Sequence, residues 1–422
     1  VTHIRAEGVW QNPLFAALLV CTVLSPVLPG VWLGFIALWA WGKYRWQLLE
    51  GDLVTVTLLG LASVALVATL VHQTPWGFVA ILFLTVYVVV YSWMKKSLTV
   101  AHFRTGLTLT AVTGTGIVAV MLIDRLGGFD FLPSSLAYFF GLESWKPTES
   151  IRSTGTSGNA NLAAGLLVCL ALVCFYKIVA AGRSLKQRLF WAGIFAVYAL
   201  GFDLTGTRMA WIALGAGMAV QLWFLYGSFF KHWLKSFHFS HVLLLIALPG
   251  LLLLLGKEWL PREASFDTDL FLRLQIWERS LDIFYDNWLF GVLPLHFGEV
   301  FMEYFGQYEY HAHNLWIGIA VDFGLIGFTL FTLLLVTGLI RGVQWIHWAN
   351  SRREKELAIV LMSLVMAFLG QGLADYTILV PQTGWLFLLS LGFIHIRWMQ
   401  LAPLKQPKIE KRKLSHSPRA VH

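Results

Sequence analysis

Apolar residues fall in long blocks along this chain, and the blocks set its architecture. They recur at about residues 13–25, 30–42, 53–71, 76–94, 105–123, 159–181, 189–204, 209–227, 242–256, 314–340, 357–374 and 384–398. The block at 314–340 holds no Lys or Arg and one acid, Asp322. At about 1.5 Å per residue, a helix of that length crosses a bilayer core of about 30 Å. The pattern predicts an all-α integral membrane protein with about twelve transmembrane helices over residues 1–398. The first two blocks are short and separated by Pro26 and Pro29, so a re-entrant hairpin fits them as well as two spans. The first begins at Pro13, has no convincing small-residue cleavage site and leads into the second, so no cleavable signal peptide is evident. No internal repeat is visible, which tells against an inverted-repeat transporter.

The polar pieces sort by charge. Placing the N-terminus inside puts 23 of the 31 Lys and Arg at cytoplasmic ends, so the positive-inside rule predicts that both termini are cytoplasmic. Two long loops then face outward, at about 124–157 and 257–312. The first contains the aromatic-rich FDFLPSSLAYFFGLESW, a segment expected to lie in the interface plane. The second contains LFLRLQIWERSLDIFYDNW, with helical apolar spacing after an expected N-cap at Asp267 or Thr268. Residues 399–422 form a basic, Pro-containing tail, expected to be disordered and to rest on anionic lipid.

Composition agrees. The chain is 57% hydrophobic and 13% charged, with mean hydropathy +0.68, against about 25% charged residues in a soluble domain. Twenty Trp and 31 Phe suit lipid-facing and interfacial positions. The net charge of +8 does not indicate nucleic acid, because the basic residues lie between apolar blocks and in the tail. Cys21, Cys169 and Cys174 all sit within apolar blocks and read as small core residues.

Candidate chemistry concentrates on the outer side, where eight basic residues face 17 acids. Arg279 has Asp282 and Asp286 nearby, and Arg125 and Arg262 have adjacent acids, so an ion pair is the plain reading of each. Arg208, in FDLTGTRMAWIALG, stands at the mouth of two apolar helices with Asp203 the only nearby acid in sequence. An arginine at the hydrocarbon edge is costly unless paired, and its fork suits phosphate oxygens. Arg273 lies one turn from both Asp269 and Trp277, either of which gives it an ordinary partner. The segment IRSTGTSGNANLAAG at 151–165 leads into a helix whose N-terminus suits an anion, or is ordinary turn and cap chemistry. His311 and His313 stand where the polar loop gives way to the 314–340 helix. Histidine changes charge near neutral pH, but at spacing i, i+2 the two do not share a helical face, and no metal site is expected.

Four motifs then align with one family. His313, Asn314, nine residues, Gly324, two residues and Gly327 resemble the H-N-x9-G-x-x-G pattern of bacterial O-antigen ligases, a superfamily that includes O-antigen polymerases and protein O-oligosaccharyltransferases. GTSGNANLAA, TGTRMAWIALG and FLRLQIWERSLDIFYDNWLFGV resemble three further family stretches in the same order. The resemblance implies a GT-C-like membrane fold and inverting glycan transfer en bloc from undecaprenyl diphosphate. It implies no cofactor and no metal. The acceptor would be a glycolipid, polymer or protein, and the setting the bacterial inner membrane with the active site facing outward. By matching motif, Arg208 and Arg273 would bind the diphosphate and His313 would act as base. Arg152, Asn159, Asn161, Arg279 and Asn314 join them as candidate diphosphate or glycan ligands. Phe328 and Thr329 replace the Thr-Trp that follows the last glycine in some members, which leaves the acceptor open. A polymerase is the nearest alternative, and an inorganic-carbon or other solute transporter a more remote one. Gly324 and Gly327 read as close-packing positions one turn apart.

Overall fold

The computed structural model describes residues 8–48, 50–142, 152–234 and 266–405. The expected span at 242–256, the loop residues Lys146, Lys257 and Arg262, and the tail beyond 405 lie outside them. Among the described residues there are fifteen α-helices and no strand. They are α1 (Pro13–Leu24), α2 (Leu28–Tyr44), α3 (Leu53–His72), α4 (Trp76–Ser97), α5 (Val100–Thr113), α6 (Thr115–Arg125), α7 (Ser134–Phe140), α8 (Ala160–Val179), α9 (Leu185–Thr205) and α10 (Arg208–Leu234). After the undescribed stretch come α11 (Phe266–Asp286), α12 (Phe297–Phe305), α13 (Leu315–Trp348), α14 (Arg352–Gln371) and α15 (Pro381–Lys405).

Among the described residues, eight segments are long and apolar enough to cross a membrane: α3, α4, α5 with α6, α8, α9, α10, α13 and α15. The protein is an all-α, multi-pass membrane protein. The other expected spans differ for identifiable reasons. α1 and α2 have 12 and 17 residues, and α14 opens on the charged run Arg352, Arg353, Glu354, Lys355, Glu356. α15 runs to Lys405, past the expected boundary at 398.

Helix starts follow from local polar chemistry. Asp52 caps α3 by accepting the Thr55 N–H, and Ser184 forms a reciprocal capping box with Gln187 at α9. α8 and α15 are the most enclosed of the spanning helices, and α10 packs along α14, α8 along α9, and α13 along both α3 and α15. Basic residues assigned to cytoplasmic ends pair with acids at the same ends: Lys95 with Asp52 at 3.0 Å and Glu50 at 3.1 Å, Lys177 and Arg183 with Glu356, and Arg397 with Glu354.

At the opposite end sits a small separate core built from the second loop. Ile283, Phe297, Val300 and Phe301 of α11 and α12 pack with Val292, Ala312 and Val321. The helix at Asp267 and Thr268 begins earlier than expected, since α11 already includes both.

α13 is a broken helix. Gly324 has φ 63° and ψ −170°, a region reserved for glycine. The peptide groups freed by the break bond to the chain that follows α11. Leu325 N–H donates to the Trp288 carbonyl at 2.7 Å, while the Val321 and Asp322 carbonyls accept from Val292 and Leu293 N–H at 2.8 and 2.9 Å. Irregular backbone at a helix inside a membrane protein is tolerated where such partners replace the lost bonds. Gly324 is therefore a break and docking point, not the packing contact its spacing suggested. Gly327 does pack closely, with Leu61 of α3 3.2 Å from where a Cβ would stand.

Candidate functional site

The start of α13 is held from three directions. Asn314 caps the helix, its side-chain oxygen accepting from Trp316 and Ile317 N–H at 2.9 and 3.1 Å. Its amide nitrogen donates to the Leu373 carbonyl at 2.9 Å, and Leu315 N–H donates to Gly372 O at 2.8 Å. These bonds clamp the turn after α14 against the histidine segment. Trp277 of α11 donates its indole N–H to the His313 carbonyl at 3.3 Å. Under these ties His313 holds φ +48°, a left-handed conformation uncommon for a residue with a side chain.

The clamp delivers Asp375. Its carboxylate lies 3.6 Å from His313 Nδ1 and 4.0 Å from His311 Nε2, and it is 4% exposed. Its Oδ1 also accepts the Tyr376 N–H at 2.8 Å. At 3.6 Å the His313–Asp375 contact is an ion pair, longer than a formed hydrogen bond, as sites often are before substrate binds. On the other edge of the ring, Glu309 stands 3.8 Å from His313 Nε2.

The charges divide the three groups. Burial opposes charging His313, but the Asp375 and Glu309 carboxylates outweigh it and raise its pKa above the ordinary value. His311 is pushed down to about 4, by burial first and then by the charge of His313. Burial also works against ionising Asp375, yet the two histidines hold it at about 2. At neutral pH His313 is therefore the group that takes up or releases a proton, while Asp375 stays ionised beside it and His311 stays neutral. His313 has to be neutral to accept a proton. A reaction using it as base is expected to fall as pH drops through a midpoint above about 6.5, the ordinary histidine value. Asp375→Asn is expected to move that midpoint down, because the carboxylate is what raises it. A pH–rate profile of the two proteins checks this.

α11 carries one arginine and the partner of another. Asp269 on this helix lies 3.7 Å from Arg208 at the start of α10. One turn on, Arg273 has a buried guanidinium nitrogen with no hydrogen-bond partner. Its charge bears on both His311 and His313. Arg273, His313 and Asp375 thus share one electrostatic neighbourhood, and Arg208 is tied to the same helix α11 through Asp269.

Residues 194–332 match the family model described as O-antigen ligase. Over that third of its length the chain is similar to the O-antigen ligase family. No curated protein matches it. The matched segment includes Arg208, Arg273, His313 and both motif glycines, and stops before Asp375. The match supports a membrane glycosyltransferase of the O-antigen ligase and polymerase type.

Within this ligase-family framework the other candidate residues are occupied by the protein itself. Arg152 donates through Nε to the Thr205 carbonyl at 2.9 Å and through Nη2 to the Asn161 side chain and Thr207 Oγ1. Arg152 and Asn161 therefore brace the loop before α8 against the α9–α10 turn. Asn159 caps α8, accepting the Asn161 N–H at 2.8 Å. Arg279 donates to Gln307 at 2.7 Å and covers the Phe305 ring at 5.2 Å, in place of the expected pairing with Asp282 or Asp286. Asn314 is the α13 cap. The partner that Arg208 lacked in its local sequence is Asp269.

The histidine spacing also needs correction. His311 and His313 precede the helix, so its geometry does not separate them, and their rings lie 4.2 Å apart. Asp375 and Glu309 were missed. Asp375 is the only acid between residues 357 and 398, and that isolation, in a turn between two apolar blocks, is the signal that marks it.

Proposed function

We propose that this protein transfers a glycan en bloc from undecaprenyl diphosphate to an acceptor hydroxyl on a glycolipid, polymer or protein. The setting is the outward face of the bacterial inner membrane, with both termini cytoplasmic. The observation that carries the reading is the unpartnered, buried nitrogen of Arg273 beside the His313–Asp375 pair. A buried cationic fork without a full set of partners calls for an anion, and the neighbouring imidazole supplies a base.

In the proposed step the acceptor oxygen attacks the anomeric carbon from the face opposite the diphosphate. The new C–O bond forms as the bond to the leaving oxygen breaks, which inverts the centre. The hydroxyl proton passes to His313 Nε2, on the edge nearer Glu309, while Nδ1–H is directed at Asp375. The negative charge that grows on the diphosphate is taken up by Arg208 and Arg273. A diphosphate is already a good leaving group, so positioning and charge stabilisation do most of what catalysis requires. The two arginines supply that stabilisation from protein side chains, without calling on a metal or cofactor.

Arg273→Ala is expected to lower turnover by about 10²–10³-fold, the cost of removing one donor to developing charge. Arg273→Lys keeps the charge but loses the fork and is expected to recover only part of it. Initial rates in proteoliposomes supplied with lipid-linked glycan test this, and wild-type rates in Arg273→Ala would remove Arg273 from the mechanism. The same assay with a single-repeat donor reads ligase or polymerase, since a polymerase makes a ladder of lengths.

A further inference from the structure

We infer that His311, His313 and Asp375 form a binding site for Zn²⁺, or a like divalent transition-metal ion, and that occupancy of this site silences the base. The three residues each offer one ligand atom, and these atoms lie within 4.8 Å of one another. Two of these approaches are 3.6 Å, from His313 Nδ1 to Asp375, and 4.0 Å, from His311 Nε2 to Asp375. Tetrahedral zinc with bonds of about 2.0–2.2 Å sets its ligand atoms about 3.3–3.6 Å apart, so a modest contraction suffices. Two imidazoles and one carboxylate leave a fourth position for water, a common zinc arrangement.

The surroundings add two features that a chance cluster lacks. His313 Nδ1 is buried and has no hydrogen-bond partner. Behind the same ring Glu309 lies 3.8 Å from Nε2, where a carboxylate commonly stands behind a ligating imidazole to fix its tautomer. One feature weakens the site. His311 Nδ1 accepts the His313 N–H at 3.1 Å, and a metal at Nε2 would move the ring proton to Nδ1 and break that bond. The expected ion is therefore a reversible inhibitor and not a resident cofactor.

Silencing follows from the tautomer. With the metal on Nδ1, the proton of His313 stays on Nε2 towards Glu309, and no lone pair is left for an acceptor hydroxyl. This half of the inference rests on the proposed role of His313 as base. The binding half does not.

The test uses the full chain, purified without a histidine tag and stripped with a chelator. Co²⁺ is the probe, because a four-coordinate site gives visible d–d absorption. The expected result is a saturable absorption at one equivalent, displaced by Zn²⁺, lost in His311→Ala and His311→Gln, and kept in His72→Ala. His72 is the control because it belongs to a second close histidine pair among the described residues, with His296. Glu309→Gln is expected to weaken binding by about 10–100-fold. Gel filtration establishes that each variant is folded. Absorption that persists in both folded His311 variants, or no absorption in the wild type, overturns the site. In proteoliposomes Zn²⁺ is expected to stop transfer and a chelator to restore it; binding without inhibition overturns the silencing. Metal-free protein that transfers nothing yet keeps the Co²⁺ spectrum would count against glycan transfer and not against the metal site.

Discussion

His313→Ala is expected to cut glycan transfer by about 10²–10⁴-fold, the usual contribution of a positioned acid–base group, with the protein still inserted and folded. The loss should fall on turnover and not on apparent donor affinity, because the two arginines that would hold the diphosphate are untouched. Asp375→Asn is expected to lose activity by a similar route. An asparagine amide can donate to Nδ1, which would place the imidazole proton on Nε2 and remove the lone pair facing the acceptor. It also removes the charge that stabilises the imidazolium. Asp375→Glu retains the charge and should recover part of the rate. Proteoliposome assays on the three variants check this, with thermal melting in detergent to establish that each is folded. Wild-type turnover in His313→Ala would end the role of His313 as base, and an unchanged rate in Asp375→Asn would leave His313 acting without it.

What was legible in the sequence followed the range of the interaction. Arg208, Arg273 and His313 stand in local motifs, and the membrane class follows from apolar blocks whose lengths match a bilayer. Asp375 was not legible as a partner, because it meets His313 across 62 residues only after Asn314 and Leu315 clamp the turn beyond α14. Asn159 and Asn314 were read as ligands for a chemical reason. Helix caps and polar binding sites draw on the same short side chains, and only the bonds made tell them apart. Arg152 and Arg279 follow the same rule, since a guanidinium serves a phosphate or a carbonyl equally well. The histidines misled because helical spacing was applied to residues that precede the helix, which begins at Leu315.

Gly324 is the position where the fold and the site depend on one backbone torsion, and Gly324→Ala is expected to damage both. The sequence marks two glycines three residues apart without indicating that the first has φ 63°. For alanine that conformation alone costs about 1–3 kcal/mol. An added Cβ would also stand 2.3 Å from the Leu289 carbonyl carbon and oxygen and 2.5 Å from Phe290 N. These are backbone atoms, so no side chain can swing aside to make room. Relief requires the 288–293 segment to lift away, which breaks its bonds to Val321, Asp322 and Leu325. The Val321 and Asp322 carbonyls would then be left in a site that water reaches poorly, at further cost. The same movement disturbs α11, and with it Arg273 and the Trp277 bond to His313. The variant is therefore expected to melt at lower temperature in detergent and to transfer glycan poorly. Gly116→Ala is the control, because it lies in α6 with nothing within 4 Å of the added methyl, and it should be neutral or stabilising by about 0.4–1 kcal/mol. If Gly324→Ala melts with the wild type, α13 runs straight through this position. The docking of the 288–293 segment would then not be what positions Arg273 beside His313.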